Sequence, residues 1–481
     1  MAALLQALAA GETSSEALTA AYLTRISRFD QHGPEHRAVL ALNPAALDAA
    51  RALDLERHAG KLRGPLHGLP ILVKDNIETA DPIATTAGSW ALAGSRRPAD
   101  APLVARLRNA GALVLGKSNL SEWANFRSTR SSSGWSGIGG QTRNAYDRER
   151  NPSGSSAGSG VAAAASFCAG AIGTETNGSI LAPSSLNGVV GLKPTVGLLS
   201  GRGIVPISSR QDTAGPMCRT VGDAALLLAA IAERPIGFGA HGSEFESFRL
   251  RGVRLGAMPA PASAHPGSVH LYDEARAALI REGAVIVELQ NPKIFADADE
   301  PEFEALLYEF KDGINAYLAT LDPAQVASRT LEDLIEFNRR HADQELIVFG
   351  QEIFEMAQAR GALTDPAYQK ALDSLKRTAD VEGLATLLGQ DGVEVLIAPS
   401  NGPAERIDEL WGDRQGGGWP EIASAAAIAG YPSLTVPAGV VEGLPVGLTL
   451  VGRRNQDGLL LQVARAFERA TEARVPPRLR V

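Results

Sequence analysis

The chain has 481 residues, 44% of them hydrophobic, and carries a net charge of −8 with a pI near 5.6. That apolar content is ample for a large buried core, and mild acidity without a long basic run argues against nucleic acid or an anionic membrane as partners. The most apolar run, VAAAASFCAGAIG at residues 161–173, falls short of the roughly 20 residues a bilayer demands.

In chain order, MAALLQALAA predicts a short helix, Gly11 a break, and Thr13 with Glu16 a capping-box start to a second helix. No basic segment of the kind that opens an export signal precedes these residues. A soluble, cytoplasmic protein is therefore expected, and an exported form whose signal has been removed stays open. Residues 13–60 read as helices, since AYLTRISRFD and PAALDAARALDLERHAG carry helical spacing of apolar positions. The pattern then changes. GLPILVKDNI, residues 68–77, is a short apolar run bounded by Gly, Pro and Asn, which predicts a buried strand. PLVARLRNAG followed by ALVLGKSN predicts helix then strand, and VAAAASFCAG followed by AIGTET repeats that unit. Residues 233–390 are richer in charge and helix formers, and read as a helical insertion between two sheet-forming halves. HGSEFESF and WGDRQGGGWP read as loops, the second flanking a pocket. VEVLIAPS, SLTVPAGV and VGLTLVG predict further strands, and LLLQVARAFERAT a closing helix. Alternating helices and apolar strands imply an α/β fold with a mostly buried sheet. Strands at both ends of the chain argue for one integrated domain. The two cysteines, Cys168 and Cys218, lack ligand spacing and read as buried small residues. The eight histidines are scattered without ligand spacing, so no metal site is expected.

NPSGSSAGSG, residues 151–160, needs explaining. A phosphate loop requires Lys and Ser/Thr after its last glycine, whereas Gly160 is followed by VAAAA. GSSAG satisfies G-x-S-x-G with Ser156 central, and a helix could follow. The preceding strand is missing, however, because TRNAYDRERNPS is polar and interrupted. The last histidine, His341, also falls in a predicted helix. A flexible linker does not suit a stretch flanked by ordered elements. A fourth reading joins distant segments. Lys74 ends the apolar strand, where desolvation would lower its pKa and leave a neutral base. A serine reachable from that base can lose its proton, and a second serine in series can act as nucleophile. Ser155 and Ser179, the latter in GTETNGSI, are the candidates.

GSSAGSG, TETNGSI and LPILVKDN together resemble the amidase signature family, as do LGKSNLSEWANF, GQTRNAYD, NGVVGLKPTVGLLS, QDTAGPM and YPSLTVPAG with GLPVGL. Within it, SEWANFR, TRNAYD, GTETNGSI and LYEFKDGINAYL are most similar to the bacterial peptide amidases. The resemblance implies a single α/β domain over residues 1–481: a central, mostly buried mixed sheet flanked by helices. Its core covers about 64–230 and 391–452, with a pocket-shaping helical insertion at about 233–390. It implies a cofactor-free amide hydrolase with a Ser–cis-Ser–Lys triad. Lys74 falls at the base, Ser155 at the bridging serine that follows a cis peptide bond, and Ser179 at the acylated nucleophile. The backbone N–H groups of Thr176, Asn177, Gly178 and Ser179 fall at the oxyanion hole.

Ser131, Ser132 and Ser133 lie where the family places substrate-proximal residues, and Trp135 is either pocket wall or core. Asn119, Glu122 and Lys193 read as structural residues, and Asp212 and Gln211 as groups fixing a loop near the site. Two positions depart from the family pattern. Asn177 stands where an acidic residue or Gly is usual, and Leu181 where many members carry Arg, which argues against acidic substrates. The expected partner is a small-molecule or peptide amide, with the oligomeric state open. A glutamine amidotransferase A-type subunit working with partner subunits is the alternative, and a catalytically silent binding module a third reading.

Overall fold

The computed structural model describes residues 1–236, 243–290, 293–413 and 420–479. Thirteen strands occur among the described residues. In chain order they are β1 (Val39–Leu42), β2 (Pro70–Lys74), β3 (Leu113–Ser118), β4 (Trp135–Ser136), β5 (Gly140–Gln141), β6 (Gly170–Glu175), β7 (Val190–Lys193), β8 (Thr213–Cys218), β9 (Arg254–Ala257), β10 (Val285–Glu288), β11 (Val395–Pro399), β12 (Ser433–Val441) and β13 (Leu444–Gly452). β4 and β5 pair with each other, and the other eleven form one sheet in the order β1-β3-β2-β6-β8-β7-β12-β13-β11-β9-β10. The sheet is mixed. β2 runs parallel to both β3 and β6, whereas successive pairs from β6 through β8, β7, β12 and β13 to β11 are antiparallel.

The central strands are buried on both faces, which explains why their sequences are continuous apolar runs rather than alternating ones. Every residue of β2 and of β6 is buried. Ile71, Leu72 and Val73 are fully shielded, and each such side chain stabilises the fold by about 1.5–3 kcal/mol. The helix Ala157–Ala164 packs against this pair, and all eight of its residues are buried. Its small side chains let it lie close to the strands.

The expected strands at 68–77, 112–119, 171–176, 393–400, 433–440 and 446–452 are all present. Other expectations change: residues 13–60 are not all helical, because Val39–Leu42 is the edge strand β1, paired antiparallel with β3. The second helix is opened by Ser14, whose hydroxyl accepts the Ala17 N–H, not by Thr13. Residues 233–390 are not wholly helical. They contribute β9 and β10, which with the intervening helix Pro266–Arg281 form a parallel unit added to the sheet beside β11. Four-residue strands in a charged stretch give little apolar signal, so helix-forming composition masks them. The rest of that segment is largely helical, notably Asp299–Ala319, Leu331–Arg340 and Glu352–Gln358. These carry their own aromatic core, in which the Phe310 ring lies 5.2 Å from both Phe126 and Phe354. Of HGSEFESF, residues 241–242 lie outside the described residues and Ser243–Ser247 is a short helix rather than a loop. In the WGDRQGGGWP loop, residues 414–419 lie outside them. Cys168 and Cys218 are both buried and unbridged. Among the described residues no helix is long and apolar enough to cross a membrane.

Candidate active site

Parallel pairing of β2 with β6, Val73 opposite Ile172, brings the ends of the two strands side by side. Lys74 closes β2 with its side chain fully buried. Its Nζ lies 2.7 Å from Ser155 Oγ and 2.9 Å from Thr174 Oγ1, and donates to the Thr174 carbonyl at 3.3 Å. Asn76 Nδ2 holds the same threonine hydroxyl at 2.9 Å. Burial pulls the Lys74 pKa down from 10.5 to about 7, against the opposing pull of the Asp212 and Glu175 carboxylates. At neutral pH a large fraction of this amine is therefore uncharged, which a solvated lysine is not.

Ser155 is buried, and the Gly154–Ser155 peptide bond is cis. The Ser155 carbonyl accepts the Ser121 N–H at 3.0 Å. Gly154 cannot be replaced without displacement, since a Cβ there would stand 2.1 Å from Ser121 Oγ and 3.0 Å from Ser133 Oγ. Ser121 Oγ is itself engaged by the Gly134 N–H at 2.8 Å. Gly154→Ala is accordingly expected to lower stability by about 1–3 kcal/mol, the usual cost of overpacking, and to reduce activity. A melting curve and a turnover assay on the same preparation check both.

Ser156, the central serine of GSSAG, is locked onto β6. Its hydroxyl accepts the Thr174 N–H at 3.1 Å and donates to the Thr174 carbonyl at 2.9 Å. Its backbone N–H donates to the Ser179 carbonyl at 3.1 Å, tying the Gly-Ser loop to the loop that carries Ser179.

Ser179 follows Gly178, whose φ of +79° is the left-handed conformation that favours glycine. Beyond it, Glu175 accepts the Ile180 and Leu181 N–H groups at 2.7 and 3.0 Å and so fixes the turn into the helix Leu181–Leu186. Thr176, Asn177, Gly178 and Ser179 line a cleft of about 740 Å³. Its walls include Phe126, Phe303, Leu306, Ile353, Ala425 and Ile428, with polar groups at Asn125, Asn151 and Asp413.

The loop 176–179 is anchored by two carboxylates, Asp212 outside the cleft lining and Glu302 on the cleft wall. Thr176 Oγ1 donates to Asp212 at 2.6 Å, and the other oxygen of Asp212 accepts the Ile207 and Ser208 N–H groups. Asn177 Nδ2 lies 3.0 Å from each carboxylate oxygen of Glu302, which also accepts Gln211 Nε2 at 2.7 Å. Burial raises the Glu302 carboxyl above its ordinary range, partly offset by those two amides.

Of the expected substrate-proximal residues, Ser131 lines the cleft, with its hydroxyl donating to the Ser128 carbonyl at 2.9 Å. Ser132 and Trp135 do not line it. Ser132 is fully buried and donates to Gln141 at 3.2 Å. Trp135 is core, packed edge-on to Phe349 with centroids 5.0 Å apart and covered by the Arg127 guanidinium. Ser133 is the other serine of that run on the cleft, its N–H held by Asp413 at 2.9 Å. Asn119 and Glu122 serve as internal partners, Asn119 to the Thr142 hydroxyl and Glu122 to Arg127. Lys193 is buried and donates to the Pro194 carbonyl.

Sequence reasoning missed Thr174, Glu175, Glu302 and Asp413. Thr174 and Glu175 sit inside the GTETNGSI motif, where strand alternation could have aimed them. Glu302 and Asp413 carry no local signal.

Comparison with known proteins bears on the family. The family model described as Amidase matches residues 17–461. The native peptide amidase from Stenotrophomonas maltophilia superposes with a TM-score of 0.92 at 48% identity, covering 99% of this chain and 98% of that one. A probable amidase from Arabidopsis thaliana is 40% identical, covering 97% of this chain and 88% of its own length. The A-type subunit of the glutamyl-tRNA(Gln) amidotransferase from Salinispora arenicola is 34% identical, covering 98% and 97%. With its mixed eleven-stranded sheet and a match running through nearly its whole length, this chain belongs to the amidase family and is an amide hydrolase of the amidase signature fold.

Proposed function

We propose that the enzyme hydrolyses the C-terminal carboxamide of peptides to a free acid and ammonia, through an acyl-enzyme on Ser179. The observation that carries this reading is the buried, readily neutral amine of Lys74 at 2.7 Å from Ser155 Oγ, beside the loop that presents Ser179 to a cleft. Ser179 Oγ attacks the amide carbon. Its proton passes to Ser155 Oγ as that hydroxyl gives its own proton to Lys74 Nζ. The carbonyl oxygen becomes an oxyanion that accepts backbone N–H groups from residues 176–179, donors whose positions are set before the reaction starts. When the intermediate collapses the C–N bond breaks. The proton returns along the relay to nitrogen, and ammonia leaves. Water then enters, loses a proton to the same relay and releases the acid, restoring Ser179.

Peptide amides are favoured over small aliphatic amides by the size of the cleft. Its mixture of apolar wall and scattered polar groups is the pattern of a site that binds an extended organic ligand. The 48% identity to a peptide amidase supports the same choice. The amidotransferase relatives favour a second reading, in which ammonia is passed to a partner-bound acceptor. The purified chain alone, offered peptide, aryl and aliphatic amides, separates the two. Ammonia release is expected to be fastest from C-terminal peptide amides with no partner added. Release that depends on glutamine together with added partner subunits would establish the second reading instead.

A further inference from the structure

Asn177 stands directly before the Gly178-Ser179 pair. The structure supplies its counterpart from elsewhere in the chain. Glu302, in the first turn of the helix Asp299–Ala319 and 125 residues away in sequence, receives Asn177 Nδ2 at 3.0 Å on both oxygens. Gln211 Nε2 bridges the same carboxylate at 2.7 Å to the Thr176 carbonyl at 3.3 Å. One buried carboxylate, 8% exposed, thus grips the loop through the side chain of residue 177 and, by way of Gln211, through the backbone of residue 176. The neighbouring Asp212 holds Thr176 independently.

We infer that Glu302 is a positioning residue for the oxyanion loop: it acts through Asn177 and Gln211 to aim the backbone donors of residues 176–178, and so governs kcat rather than substrate affinity. This rests on the proposal that those N–H groups receive the oxyanion. The physical argument is that such donors work only if they are in place before charge develops. Misplacement by about 1 Å can cost on the order of 10²-fold in rate. Asp212 and the Ser156 N–H hold the two ends of this loop at Thr176 and Ser179, and the Glu302 carboxylate is the contact that ties the side chain of Asn177, between them, to a helix.

The pair can be exchanged, and that provides the test. In Glu302→Gln an amide nitrogen faces the Asn177 amide nitrogen, and the contact becomes unfavourable on one side. In Asn177→Asp two carboxylates face each other. In the double variant the amide introduced at position 302 donates to the carboxylate introduced at position 177, while its oxygen still accepts Gln211. The net charge is then that of the parent. Each single variant is expected to lose roughly 10–100-fold in kcat with KM within about threefold of parent. The double variant should recover most of that loss, the non-additivity expected of residues in contact. Steady-state kinetics on a peptide amide reads this out. Parent-like kcat in both single variants, losses that fall on KM, or a double variant no better than the worse single would each overturn the proposal. If Glu302→Gln alone does not fold, recovery of kcat in the double variant decides the question. Ser179→Ala is run alongside. If it keeps activity the acyl-enzyme reading itself fails, whereas a dead Ser179→Ala with parent-like single variants defeats only the role of Glu302.

Discussion

Ser179→Ala is expected to lower kcat by roughly 10⁴–10⁶-fold, the range seen when a hydrolase loses its nucleophile. It should also abolish covalent labelling by a serine-reactive fluorophosphonate. The two readouts test different things. Turnover asks whether the residue is needed, and labelling asks whether its oxygen is the one that bonds to the electrophile. Ser156 is the control imposed by the sequence, because it occupies the centre of a G-x-S-x-G pattern. Its hydroxyl, however, is committed to both the N–H and the carbonyl of Thr174, whereas Ser179 faces the cleft. A labelled peptide mapping to Ser156 would overturn the assignment. No labelling of the parent enzyme at all would favour a silent binding module.

Lys74→Ala should lower kcat/KM by about 10²–10⁴-fold, the usual contribution of a general base. Lys74→Arg should not rescue it, because a guanidinium cannot give up its proton in this range. The pH profile carries the sharper expectation. A solvated lysine titrates near 10.4, and burial brings Lys74 to about 7. Below that value the amine is an ammonium ion and cannot accept the Ser155 proton. Above it the free base dominates. The kcat/KM profile is therefore expected to rise with pH through about 7 and then level off. A profile flat from about pH 5 to 9, or one still rising near pH 10, would show that Lys74 is not the titrating base.

The residues of the proposed relay were easier to pick out in the sequence than the lining of the cleft beside them. Lys74 could be located because it ends the apolar run PILVK, and burial and base strength follow from the same feature. Ser155 and Ser179 lie in short motifs of small residues whose spacing a local reading can follow. β1 fell inside a stretch read as helical and β7 was not read as a strand, while β2, β3, β6, β11, β12 and β13 were visible as apolar runs. β8 was not, because TAGPMC sets Gly215 and Pro216 inside a central strand, where both are usually counted as breakers. β9 and β10 were hidden by their length. The residues around the cleft failed for a different reason. Ser132 and Trp135 lie within four positions of Ser131, yet a tight turn sends them inward. Glu302 and Asp413 reach the site across more than a hundred residues of chain, and no periodicity encodes such a meeting.

One consequence concerns how such an enzyme could diversify. The residues of the proposed relay lie at the end of β2 and on the loops beside β2 and β6, and the register of the two strands is set by main-chain pairing at the centre of the sheet. Much of the surface facing them comes from two other stretches, residues 295–306 and 421–428. Substitutions in those stretches can accumulate while the relay keeps its geometry. Inherited catalysis and changeable selectivity are thus carried by separate parts of one polypeptide, joined at few points, and the Glu302 carboxylate is one of them.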